Sequence, residues 1–319
     1  MRIFLAPMEG VVDHEMRDVL TRVGGYDRCV TEFIRVTDQL LPERVFIRFA
    51  PELEQGSRTS AGTPVHLQLL GSDPKVMAMN AVQAQNLSPL GIDLNFGCPS
   101  KTVNKSDGGS ALLREPARIY NIVAAVRDAV DPAIPVTAKI RLGFSNHDAL
   151  DEISDNIFRA NADELCIHAR TREDRYTPPA YWSAVKKVSF KAPIPVIING
   201  EIWSIDDAKK ARDDSGCVDI MLGRSALTSP DIAAKIKSYF NNEPYNELVW
   251  WNTLEMMVEY LQNSKNQHPM FVSNRCKQWL VFLQRHYPEA KDIFQRIKRM
   301  KSADEVFAEI KTYQRESLI

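Results

Sequence analysis

The side chains best suited to chemistry gather around a thiol and along a series of strand ends. The stretch from Ile92 to Leu113 reads IDLNFGCPSKTVNKSDGGSALL, in which a short strand, Ile92 to Asn95, gives way to Gly97, Cys98 and Pro99. Neither helix nor strand continues through such a sequence. The polar run Ser100 to Asp107 and then Gly108-Gly109 follow, a loop of functional length. A cysteine at a strand's carboxyl end, under a mobile loop, is placed to meet a ligand. It can equally be a small core hydrophobe in a turn, and position alone leaves both readings open. Further along, Asn199-Gly200 and Gly223-Arg224 each set a glycine beside a hydrogen-bonding side chain. Glycine lets backbone N–H groups approach an anion, so a phosphate-bearing ligand is expected there, helped by a helix beginning near Ser229.

Positioning these groups requires a repeating frame. Short apolar runs alternate with amphipathic ones about eight times, predicting strands at Ile3 to Met8, Cys29 to Phe33, Val65 to Leu70, Ile92 to Asn95, Val136 to Arg141, Glu164 to His168, Val196 to Asn199 and Ile220 to Gly223. Helical patterns between them are clearest at His14 to Val23, Pro74 to Leu87, Pro116 to Val130, Ala149 to Ala160, Ile205 to Arg212 and Asp231 to Phe240. The alternation predicts an α/β fold, a (β/α)8 TIM barrel, over residues 1–242. A doubly wound sheet is weakened by the absence of GxGxxG after the first strand. The strands end in Pro7-Met8-Glu9, Gln68, Asn95, Lys139 and Arg141, His168 and Arg170, Asn199-Gly200-Glu201, and Gly223-Arg224. Lys139 could snorkel, His168 could be a satisfied core histidine and Arg224 could pair with a carboxylate. Their shared position at one barrel rim, where barrels put their chemistry, is what those separate explanations do not supply.

Composition narrows the class. With 44% hydrophobic and 25% charged residues the chain reads as globular, and 40 Lys plus Arg against 41 Asp plus Glu give no overall attraction to a polyanion. Five separated cysteines without a CxxC pair argue against a disulfide framework or a zinc site and favour a reducing compartment. The N-terminal apolar run breaks at Pro7, too soon for a signal peptide, so a cytoplasmic protein is expected. After Asn241-Asn242-Glu243-Pro244 strand patterns stop, and residues 243–319 read as a small all-α helical bundle. Within it, Arg275 to Lys301 carries eight Lys or Arg against Glu289 and Asp292, with Trp279, Phe282, Tyr287 and Phe294 interleaved. A solvated helix face over an aromatic core is the ordinary reading; the local excess favours contact with a phosphate backbone.

These pieces resemble the tRNA-dihydrouridine synthases nearly end to end. The matching segments are LAPMEG, DLNFGCPSKTV, AKIRLG, HARTREDRY, INGEI and MLGR, and VTEFIRVTDQLLP, TVNKSDGG and RCKQWLVFLQR are most similar to the C subfamily, which acts on uridine 16 of the D-arm. The resemblance implies FMN as cofactor, NADPH as its reductant, and tRNA as substrate. Hydride would go to C6 of the uracil and a proton from Cys98, the general acid on its flexible loop, to C5. It implies flavin binding by Pro7, Met8, Glu9, Gln68, Lys139, His168, Asn199, Gly200, Glu201, Gly223 and Arg224. Asn95, Arg141 and Tyr176 would touch the flipped nucleotide, and Arg35, Arg275, Lys277 and Lys298 would orient the tRNA. No protein partner is signalled and a monomer is expected. A barrel flavoenzyme acting on a free pyrimidine, similar to dihydroorotate dehydrogenases, leaves the basic tail unexplained; a relative that binds tRNA without catalysis is the third reading.

Overall fold

The computed structural model describes residues 1–264 and 267–316. Its elements run β1 (Ile3–Leu5), α1 (His14–Val23), β2 (Arg28–Val30), β3 (Ile34–Arg35), α2 (Glu43–Phe49), β4 (Val65–Leu70), α3 (Pro74–Gln85), β5 (Ile92–Asn95), α4 (Lys101–Asn104), α5 (Pro116–Ala129), β6 (Val136–Arg141) and α6 (Leu150–Arg159). They continue with β7 (Glu164–His168), α7 (Lys186–Lys191), β8 (Val196–Asn199), α8 (Ile205–Ser215), β9 (Asp219–Leu222), α9 (Arg224–Thr228), α10 (Ile232–Asn241), α11 (Trp250–Asn263), α12 (Pro269–Leu283), α13 (Glu289–Ile297) and α14 (Ala303–Glu316). All strand pairs are parallel, and β1–β9 together with β2–β4 closes the sheet into a barrel.

Local chemistry explains the helix starts. Asp13 accepts the Met16 N–H at the head of α1, Asp73 accepts the Val76 N–H ahead of Pro74 in α3, and Ser204 accepts the Asp207 N–H in α8. Each satisfies a donor that the first helical turn leaves free. Along the strands, alternate residues face opposite ways. Ile92 and Leu94, Val136, Ala138 and Ile140, and Leu165 and Ile167 join the cluster packed against the helices. Phe4, Val30, Cys166, Ile197 and Met221 form a separate cluster inside the barrel. Below that inner layer, Arg28 lies over the Phe4 ring at 4.3 Å and pairs with Glu164, while Arg2 bridges Glu164 and Asp219. These ion pairs gather charged groups at the amino ends of β1, β2, β7 and β9.

Three expectations need correction, the simplest being that the first strand, expected from Ile3 to Met8, ends at Leu5, two residues before Pro7. The strand expected from Cys29 to Phe33 stops at Val30 and resumes as β3, because the Thr31 hydroxyl accepts the Gln68 N–H (3.0 Å) and donates to Glu32 O (2.8 Å), a side-chain bond that displaces the regular ladder. The helix expected to offer a positive end near Ser229 does not do so. The segment after β9 is the short α9, starting at Arg224, and the start of α10 is occupied by the buried Asp231, which takes the Ser229 hydroxyl at 2.6 Å and pairs with Lys235.

Beyond residue 242 the elements are helices, and they share one apolar cluster with the outside of the barrel. Asp231 also accepts from Tyr245 Oη (3.2 Å) and Leu248 N (2.9 Å), Trp279 donates to Leu227 O (3.2 Å), and Tyr260 Oη lies 3.1 Å from Asp13 Oδ2. Among the described residues, no helix is long and apolar enough to cross a membrane.

Candidate active site

Parity along the strands decides which side chains meet. On β5 and β6 it is Asn95 and Lys139, paired in register, that face inward near the top; on β7 and β8 it is His168 and Asn199, also in register. With the turns that follow, they enclose a cavity of about 330 Å³ at the carboxyl ends of the strands. All of the residues expected to hold the cofactor line it, from Pro7, Met8 and Glu9 through Gln68, Lys139 and His168 to Asn199, Gly200, Glu201, Gly223 and Arg224. So do Cys98, Asn95, Arg141 and Tyr176.

On the thiol side almost every polar group is committed to a neighbour. Asn95 Oδ1 accepts the N–H groups of Gly97 (3.0 Å) and Cys98 (2.9 Å), and the Cys98 carbonyl accepts from Asn104 Nδ2 (2.9 Å), Ser110 Oγ (2.8 Å) and Ser110 N (3.1 Å). Gly109, at φ +59°, passes so close that a Cβ there would lie 2.9 Å from the Cys98 carbonyl oxygen. Arg141, almost fully buried, donates to the carbonyls of Gly97 (2.8 Å), Thr171 (3.0 Å) and Arg175 (2.9 Å). The segment expected as an open flexible loop is therefore folded around the cysteine: α4 follows it at once, and Arg35 ties Ser106 Oγ at 2.6 Å. Burial pushes the Cys98 thiol up and so does the Glu9 carboxylate, while the Ser100 N–H and Arg141 pull the other way. The net shift is upward and favours the protonated thiol.

The opposite side carries more charge. Lys139 Nζ donates to Asn199 Oδ1 at 3.1 Å, and Asn199 Nδ2 donates to Met221 O at 2.8 Å. Burial pulls the Lys139 amine down and, with the surrounding Arg141, Lys139, Arg170 and Arg224 cations, holds His168 well below its ordinary value, so His168 is neutral. Gly200 has φ +116°, and a Cβ there would come within 2.8 Å of His168 Cδ2, which only glycine avoids. Glu201 Oε1 lies between Arg170 (2.9 Å) and Arg224 (2.6 Å), and Glu201 Oε2 takes the Trp203 indole N–H at 3.1 Å. Two guanidinium groups around one carboxylate leave a net positive charge at the end of β8 and β9.

The residues expected to orient the tRNA are not part of this cavity. Arg275 is largely buried beneath the rim, 3.8 Å from Asp13 and 3.9 Å from Glu32, with Gln278 Oε1 at 2.9 Å. Lys277 is half-buried and bound to Met300 O, whereas Lys298 is exposed beside Gln295. Of the interleaved aromatics, Trp279 and Tyr287 are core residues. Phe282 instead reaches the cavity from α12, and Trp203 lines it beside Glu201; neither was expected. Trp203 follows directly on the INGEI segment, a position the sequence could have suggested, but Phe282 depends on how α12 docks.

A flavin fits these surroundings. The cavity is a concave space with a few convergent polar groups, a buried amine, a glycine that admits close approach, and a cationic corner suited to a phosphate. Fold and site together define a (β/α)8-barrel enzyme with its chemistry at the carboxyl end of the strands. The sequence model of the dihydrouridine synthase (Dus) family matches residues 4–316, and the chain belongs to that family of oxidoreductases. It is 48% identical over 307 residues to the tRNA-dihydrouridine(16) synthase of Shewanella oneidensis, covering 96% of each chain. To the protein of the same name from Pseudomonas putida it is 48% identical over 300 residues, covering 94% of this chain and 93% of the other. Solved structures share the fold at low identity. A 2-naphthoyl-CoA reductase complex aligns at TM-score 0.57 and 11% identity over 76% of this chain and 50% of its own, and an old yellow enzyme homologue from Zymomonas mobilis at 0.50 and 11% over 78% and 91%.

Proposed function

We propose that this chain reduces uridine 16 in the D-arm of tRNA to 5,6-dihydrouridine, using FMN and NADPH, and acts as a monomer in the cytoplasm. The observation that carries the reading is that Cys98, Lys139 and Arg224 line one cavity. Gln68, Lys139, His168 and Asn199 would hold the ring system, and Gly200, Gly223 and Arg224 the phosphate end, with Glu201 setting the position of Arg224. A flavin held there would supply the hydride for C6, with NADPH as its reductant.

The remaining work falls to the chain. A uracil stacked in RNA is out of reach, so the base must be extruded into the mouth of the barrel. Tyr176, 52% exposed, with Arg141 5.5 Å and Arg224 5.0 Å from its ring, offers a face for it. Cys98 holds the proton destined for C5, and its raised pKa keeps that proton in place until carbanion character develops at C5. The exposed cations of α13 and the turn after it, Lys298 among them, face the RNA body.

Two measurements test this. Purified protein should show a flavin absorption spectrum, and tRNA from cells lacking the gene should lose dihydrouridine at position 16 and regain it on incubation with protein, FMN and NADPH. A colourless protein, or unchanged modification at position 16, overturns the reading.

A further inference from the structure

Beneath the cavity lies a carboxylate with no place in the scheme above. Asp93, on β5, is buried and is not among the cavity-lining residues. Its Oδ2 accepts from Gln68 Nε2 at 2.6 Å and its Oδ1 from Thr137 Oγ1 at 2.5 Å. Gln68 Oε1 in turn accepts from Asn95 Nδ2 at 2.7 Å, and Asn95 Oδ1 accepts the N–H groups of Gly97 and Cys98.

The chain ends in groups of fixed polarity: the Gly97 and Cys98 N–H groups can only donate, and the Asp93 carboxylate can only accept. A side-chain amide has one accepting and one donating end, and nothing but its partners decides which way it points. The oxygen of Asp93 can only be met by the NH2 of Gln68, which turns the Gln68 oxygen toward Asn95. That oxygen fixes the Asn95 NH2, and so the Asn95 oxygen faces the Cys98 peptide. Were Asn95 reversed, N–H would face N–H at the cysteine, and were Gln68 reversed, oxygen would face oxygen at Asp93; either is costly in a buried setting. Protonation of Asp93 need not disturb this, since the Thr137 hydroxyl can accept as well as donate.

We propose that Asp93 is a positioning residue for Cys98: as the fixed acceptor at the buried end it anchors Gln68 and Asn95, whose oxygen holds the thiol-bearing peptide at the cavity. Its effect on turnover rests on Cys98 being the proton donor proposed above; its effect on the thiol does not.

The test uses the full chain with flavin bound and three variants. Asp93→Leu keeps much of the volume and removes the acceptor. Asp93→Ala leaves room for a water, which anchors Gln68 less firmly than a carboxylate fixed to the strand. Asp93→Asn can still offer an oxygen to Gln68 while its NH2 meets Thr137 Oγ1. Cys98 is the one half-exposed cysteine, the other four being buried, so alkylation by iodoacetamide read by peptide mass reports on it alone. In Asp93→Leu and Asp93→Ala, compared with wild type at equal flavin content, we expect kcat on tRNA to fall by about 10- to 100-fold and the alkylation rate of Cys98 to change by about fivefold or more. Asp93→Asn should restore both to within roughly threefold. Wild-type alkylation in whichever of the Leu or Ala variants folds, or an Asn variant as impaired as they are, overturns the proposal. Altered alkylation with unchanged turnover supports the positional claim and removes Cys98 from the proton-donor role instead.

Discussion

Two arginines on opposite sides of the cavity are held differently. Arg141, on the thiol side, gives its donors to three backbone carbonyls and is almost fully buried. Arg224, on the opposite side, is partly exposed and shares one Glu201 oxygen with Arg170. The same contrast recurs in the helical segment, where Arg275 is enclosed by Asp13 and Glu32 while Lys298 stands in solvent. A committed cation fixes geometry, because removing it strands buried partners. An available one can exchange its neighbour for an incoming anion. Residue type alone does not separate these roles.

The stronger effect on ligand binding is expected at the available arginine. Arg224→Ala should weaken flavin binding by about 10- to 100-fold, the value of one charge-assisted hydrogen bond, measured by fluorescence titration of flavin into apoprotein. Arg141→Ala should act elsewhere: three carbonyls lose their donor, the cost is about 3 kcal/mol, and Tm falls by several degrees while flavin affinity changes less than in Arg224→Ala. If the two variants lose affinity and stability alike, the distinction fails. A smaller effect is expected at the surface. Lys298→Ala should lower the slope of log K for tRNA against log salt by about one, whereas Arg275→Ala should lower Tm and leave the slope nearly unchanged.

The smallest effect concerns Glu9, exposed at the rim. Partial burial and then the Glu32 carboxylate push its carboxyl up to about 7, with Arg275 opposing. Solvent screens part of this shift. A carboxyl whose pKa is higher folded than unfolded binds more protons in the folded chain, so its contribution to stability is present at low pH and is lost as pH rises toward 7. Glu9→Gln removes that loss, so its Tm relative to wild type should climb between about pH 4.5 and 7. Parallel Tm curves would remove Glu9 as a titrating group at the rim.

Much of the barrel was legible because its strands are short apolar runs bracketed by Pro, Gly or Asp: the bounds read for Val65 to Leu70, Ile92 to Asn95, Val136 to Arg141, Glu164 to His168 and Val196 to Asn199 are those of β4 to β8. The second strand was not, since its interruption depends on Thr31 meeting Gln68, a partner 37 positions away. The strand-end residues around the cavity could be read because parity brings them to one face. Their commitments could not be read. The burial of Arg275 and the arrival of Phe282 depend on how α12 packs on the barrel, and a basic, aromatic stretch reads the same whether its side chains face solvent or core.

That Cys98 supplies the proton, at a cavity whose other groups are proposed to hold the flavin, can be checked by separating the two half-reactions in Cys98→Ala. The variant should bind flavin and be reduced by NADPH at the wild-type rate, while the return of flavin absorbance on anaerobic mixing with tRNA lacking dihydrouridine should slow by about 100- to 10,000-fold. Reoxidation by that tRNA at the wild-type rate would contradict the claim.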